Sequence, residues 1–143
     1  GRLALTEPAL SACLAALHRP QPRVALGLAL RGLASAAIDV SDGLLADLGH
    51  VLEASGVAAR LQPAVLPAPT IERDCYLAGG DDYELIFTAP AARHAEIDAL
   101  AAKLGLLLTC IGTIETGAAG QLSVFDGAGQ PVDIVHRGYD HFS

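Results

Sequence analysis

Two carboxylates and a hydroxyl close the apolar run Ala36-Ala37-Ile38-Asp39-Val40-Ser41-Asp42-Gly43. An amphipathic segment begins directly after them. Acids where a strand hands over to a helix suit hard cations and the anions that such cations carry. Asp39 and Asp42 offer oxygen ligands for Mg2+. Backbone N–H groups at a helix start attract phosphate, and Gly43 lets backbone approach a ligand closely. If extended chain continues to Ser41, that hydroxyl shares a face with Asp39. A plainer role stays open, in which Ser41 or Asp42 only caps the helix. Capping does not account for Asp39 at the end of a buried strand.

A second constellation is Gly79-Gly80-Asp81-Asp82-Tyr83-Glu84. Paired glycines lead three acids through a tight turn into a strand. The acids can face a cation or polar ligand groups, or simply solvate a turn. The third is the tail Arg137-Gly138-Tyr139-Asp140-His141-Phe142. Tyr139 can stack on a ring or dock the tail on the core. The histidines show no metal-ligand pairing and read as surface or packing residues. No Walker phosphate loop, dinucleotide fingerprint or nucleophile elbow is present.

Hydrophobic spacing supplies the elements that must position these residues. Residues 6–17 read as a helix capped by Thr6, with Leu10, Cys13, Leu14 and Leu17 on one face. Residues 24–33 read as a second helix interrupted by Gly27, and 36–40 as a buried strand. Apolar positions 44, 45, 48, 51 and 52 mark a helix over 44–54 that stops at Gly56, with Asp47, His50 and Glu53 on its polar side. Strands follow at 57–61, 83–88 and 106–114, with a helix over 90–104 that buries Ile97, Leu100, Ala101 and Leu104. Residues 121–125 and 132–135 flank Asp126-Gly127-Ala128-Gly129 as a hairpin. The pattern predicts one α/β (α+β) domain over 1–143, a mixed sheet with helices packed on it.

Composition limits the partners. Hydrophobic residues make up 52% and charged residues 17%, so the chain can bury a core. The net charge of −7 argues against nucleic acid or an anionic membrane as the main partner. Phosphorylated small molecules stay open if divalent metal bridges carboxylate to phosphate. Three dispersed cysteines fit a reduced, cytoplasmic protein. The start at Gly1 suggests a piece of something longer.

SAAIDVSDGLLADLGH (35–50), LAGGDDYELIFT (77–88), CIGTI (110–114) and GYDHF (138–142) occur in this order. Together they resemble the C-terminal domain of the thiamine-monophosphate kinase family, within the PurM-like superfamily. The resemblance runs from about His18 to Phe142. It implies a PurM-like C-terminal fold and a homodimer. It implies transfer of the ATP γ-phosphoryl group to thiamine monophosphate, with several Mg2+ ions. By the same resemblance Asp39 and Asp42 bind Mg2+, Ser41 contacts ATP, Asp81 contacts the thiamine substrate and Tyr139 packs against its rings. An ATP-binding N-terminal domain is expected outside this chain, which should then be inactive alone. Two departures stand out. The family often has Glu where this chain has Asp81, which reaches one methylene less far. The stretch 67–77 looks short for the helix that the family places before GGDDYEL. Rival readings are another ATP-dependent enzyme of the superfamily and a non-catalytic domain for dimerisation or thiamine phosphate binding.

Overall fold

A computed structural model describes residues 6–64, 67 and 71–134. The core forms around one helix. Helix α3, Leu44–Ser55, carries Leu45, Leu48 and Leu52 on one face, as the spacing predicts. That face packs on Ala59 and Leu61 of strand β2 (Ala58–Leu61) and on Leu122 and Val124 of β5 (Leu122–Val124). Leu77 of α4 (Ile71–Ala78) closes the cluster. Gly56 ends α3 at a φ of +65°, a left-handed conformation that glycine adopts without a Cβ penalty.

Strand β2 is central in a three-stranded sheet. It runs antiparallel to β4 (Gly112–Glu115) and parallel to β5. The predicted mixed sheet with packed helices is therefore present. A separate antiparallel pair joins β1 (Ala36–Asp39) to β3 (Leu85–Thr88), with Asp39 opposite Leu85. The predicted hairpin survives in part. Phe125 bridges Pro131, and the Val132 N–H donates to Val124 O at 2.9 Å. The Arg60 guanidinium lies 3.5 Å from the Phe125 ring centroid, so a charged residue is tolerated in the central strand.

Several elements differ from expectation. Helix α1 is Ala9–His18, with Pro8 rather than Thr6 at its N-cap. Its apolar face is not buried: Leu10, Leu14 and Leu17 are all exposed. Helix α2 covers only Val24–Ala29, and Gly27 sits inside it. Strand β1 is not buried; it alternates between half-buried and exposed positions, and Asp39 is exposed. β4 is four residues long, because 106–111 run irregularly and Leu107 is 92% exposed. Helix α5, His94–Leu104, follows a single 3-10 turn and keeps Ile97, Leu100, Ala101 and Leu104 half-buried. The helix before GGDDYEL is present as α4, so that stretch is not too short for it. No helix among the described residues is long and apolar enough to cross a membrane.

A bidentate ion pair ties the α1–α2 connection to the entry of β3. Arg23 Nε and Nη2 donate to the two Glu84 carboxylate oxygens at 2.8 and 2.5 Å. This hydrogen bonding holds Glu84 below its ordinary pKa and raises that of Arg23. Both side chains are partly exposed, so the pair contributes only about 0.5–1 kcal/mol. A depressed carboxylate pKa stabilises the fold above the unfolded value of about 4.3, and the contribution disappears as pH falls through the folded pKa. Arg23→Gln should therefore lower stability by about 0.5–1 kcal/mol at pH 7. In urea unfolding at several pH values, the gap to wild type should close below about pH 4. Leu52 is fully buried, and Leu52→Ala should cost about 3 kcal/mol in the same experiment.

Candidate functional site

The turn from β1 into α3 is held from inside. Asp47, one turn into α3, is 3% exposed. Its Oδ2 accepts hydrogen bonds from the backbone N–H groups of Ser41, Asp42 and Gly43 at 2.9, 3.0 and 3.2 Å. Two expectations change as a result. The three loop amides are occupied by a carboxylate, so they are not a vacant phosphate cradle. The N-cap position belongs to Gly43, not to Ser41 or Asp42. Asp47 itself lies in the interior, not on the polar side of the helix where its spacing places it.

The second acidic loop lies along the first. Val40 N–H donates to Glu84 O, and Tyr83 N–H donates to Val40 O, both at 2.8 Å. These bonds carry the β1–β3 pairing one step past its last strand pair. Asp81 N–H then donates to Ser41 O at 2.9 Å. Such close backbone contact demands glycine. A Cβ on Gly80 would stand 2.5 Å from Ser41 O, and one on Gly43 would stand 2.8 Å from the Ala78 carbonyl carbon. Gly43 also has a φ of +117°. Gly43 and Gly80 thus serve the contact between the motifs.

The acids converge at this contact. The Tyr83 hydroxyl donates to Asp81 Oδ1 at 3.1 Å. That bond, followed by the charge of Asp81, partial desolvation and the charges of Asp39 and Asp42, raises the Tyr83 pKa. Asp82 is pushed up by partial desolvation and by the charges of Glu84 and Asp81. Asp81 and Tyr83 adopt φ values of +66° and +51°, unusual for residues with side chains. The loop is therefore held in a strained form beside a concentration of negative charge. Such a wall suits a cation better than a bare anion.

The structure brings Asp39, Ser41, Asp42 and Asp81 together, although forty residues of chain separate the ends of the set. Asp39 is exposed, and Ser41 and Asp42 are half-buried. Ser41 lies in a bend beyond β1, so strand alternation does not carry it onto the face of Asp39. Tyr139 lies outside the described residues. Sequence reasoning gives no role to Arg23 or to Tyr83 within its motif, and places Asp47 on the polar side of the helix. It also left His50 apart, whereas Asp42, Asp47 and His50 each present a ligand atom within 4.8 Å of the others. A groove of about 410 Å³ opens beside Asp39 and Tyr83, walled by Pro20, Pro22, Val24 and Leu85. It offers an apolar surface next to the acidic one.

Residues 8–125 match the family described as AIR synthase related protein, C-terminal domain. Thiamine-monophosphate kinase of Escherichia coli (strain K12) is 42% identical over 134 residues, covering 87% of this chain and 41% of that protein. A crystal structure of thiamine-monophosphate kinase from Stenotrophomonas maltophilia K279a superimposes with a TM-score of 0.76 at 44% identity, covering 90% of this chain and 42% of that one. The structure of AaThiL complexed with AMPPCP and TMP has a TM-score of 0.68 at 28% identity, covering 98% of this chain and 44% of that one. The chain thus spans about two fifths of the length of the curated relatives it matches. With its fold, its two abutting acidic loops and a family match over most of its length, the chain belongs to the AIR synthase related C-terminal domain family.

Proposed function

We propose that this chain is the C-terminal part of a thiamine-monophosphate kinase. The observation that carries the reading is the abutment of IDVSDGL and GGDDYEL, which gathers Asp39, Asp42 and Asp81 at one edge of the fold. The identity to thiamine-monophosphate kinases over most of the chain supports it. In this reading a phosphate oxygen of thiamine monophosphate attacks the ATP γ-phosphorus. The bond to the β,γ-bridging oxygen breaks, and thiamine diphosphate and ADP result. A phosphate monoester has a second pKa of about 6, so the acceptor is largely dianionic at neutral pH and requires no general base. The obstacle is the meeting of two polyanions, and catalysis is mostly alignment and charge neutralisation.

The residues fit Mg2+. Asp39 and Asp42 are hard oxygen donors on a loop whose amides are already taken, and net charge −7 would repel phosphate without a cation. Asp39 and Asp42 would hold Mg2+, which would supply positive charge to offset the phosphates, and several ions are expected in the whole site. Ser41 contacts ATP, Asp81 meets the thiamine substrate and Tyr139 packs against its rings. The shorter Asp81 sits on a loop held close to Ser41 by its own N–H. An N-terminal domain outside this chain supplies the remaining ligands. The intact protein is a cytoplasmic homodimer.

The direct test is thiamine diphosphate formation from ATP by the intact protein, with none by the 143-residue chain alone. Turnover by the isolated chain contradicts the division of the site between two domains. In the intact kinase, Asp42→Asn should lower kcat at least about tenfold and raise the Mg2+ concentration for half-maximal rate. An unchanged Mg2+ requirement would remove Asp42 from the ligand set.

A further inference from the structure

Asp47 has no part in the reaction as drawn, yet it is the one buried charged side chain among the described residues. Burying a carboxylate is costly unless hydrogen bonds compensate it. Three donors on Oδ2 supply that compensation, and all three come from the loop that carries Ser41 and Asp42. A neutral N-cap side chain would satisfy a helix start without burying charge. This helix instead starts at Gly43, which has no side chain, and reaches back to its own entry loop from one turn further in.

We propose that Asp47 is a positioning residue for the metal-binding wall, an inference that rests on the kinase reading above. The three bonds fix the backbone of residues 41–43 and turn their N–H dipoles toward the protein interior. Asp42, inside the clamped turn, is thereby held in a fixed relation to Asp39, the last residue of β1, for a shared cation. The opposite face of the loop passes the constraint on: Ser41 O and Val40 O receive the N–H groups of Asp81 and Tyr83. Asp47 also closes the amide cradle, so phosphate reaches this loop through metal and not through backbone. A side chain with no contact to either substrate therefore sets how much Mg2+ the site requires.

The test is Asp47→Asn in the intact kinase. Asparagine keeps the shape and one acceptor oxygen but loses the charge that three amides converge on. The melting temperature should stay within a few degrees of wild type. The kcat should fall by about tenfold, and the half-saturating Mg2+ concentration should rise at least about threefold. A kcat and an Mg2+ requirement both within about twofold of wild type would overturn the proposal, because a purely structural Asp47 leaves both unmoved once the protein is folded. If Asp47→Asn does not accumulate as folded protein, Asp47→Glu keeps the charge and shifts it by one methylene. It should show the same rise in Mg2+ requirement, and a wild-type requirement there overturns the proposal. Mn2+ affinity, read by electron paramagnetic resonance without turnover, separates this inference from the kinase reading. Binding at least about threefold weaker in Asp47→Asn supports the clamp even if the wild type forms no thiamine diphosphate, and equal affinity rejects it.

Discussion

Three backbone N–H groups converge on one oxygen of Asp47, and the rest of the site depends on that convergence. Phosphate-binding loops commonly leave such amides open to solvent at a helix start. Here the chain fills the cradle with its own carboxylate. The outward side of the loop then presents Asp39 and Asp42, and its electrostatic character reverses. A loop with open amides attracts anions directly, whereas in the proposed reading this one takes a cation and meets anions through it. The choice is made by a residue that sits on the core helix, beside Leu45 and Leu48. Helix α3 thus contributes both to the core and, through Asp47, to the turn that carries Asp42.

The second loop adds to this frame by contact at the backbone. Gly43 and Gly80 permit approach distances that any Cβ would block. Asp81 and Tyr83 hold left-handed backbone conformations that cost on the order of 1–2 kcal/mol each. The bonds from Asp81 and Tyr83 to Ser41 and Val40, and the Arg23–Glu84 pair, hold the loop in that form. Partial desolvation, and after it the like charges of Glu84 and Asp81, push the Asp82 pKa up. An edge that concentrates negative charge in strained loops is costly to the fold, which accords with the proposed cation site.

Much of this was legible in residue spacing, and the exceptions share a cause. Helix α3 and its stop at Gly56 follow from a regular apolar stripe and a glycine at the end, both local signals. The inward face of α5 is of the same kind. Strand β1 reads as buried because Ala36, Ala37 and Ile38 are apolar, but among the described residues it pairs with β3 alone and is half open. Burial of a strand depends on what covers it, which spacing does not encode. The apolar face of α1 is exposed for the same reason. Asp47, which spacing assigns to the polar side, is buried instead. Its position lies three residues after Leu44 and four before Val51, next to the apolar stripe of the helix. A carboxylate there has to find donors, and the nearest unpaired donors are the amides of the preceding turn. That signal was present in the sequence and was outweighed by its charge. The contact between the two acidic motifs was not legible from spacing, since it joins residues about forty positions apart.

The most direct measurement is a crystal structure of the intact kinase with Mn2+ and a non-hydrolysable ATP analogue, using the anomalous signal of the metal. The account predicts an anomalous peak within bonding distance of the Asp39 and Asp42 carboxylates, with phosphate oxygens on the metal and Asp47 still bound to the amides of residues 41–43. Phosphate oxygens seated directly on those amides, with Asp47 displaced and no metal at Asp39 or Asp42, would contradict it.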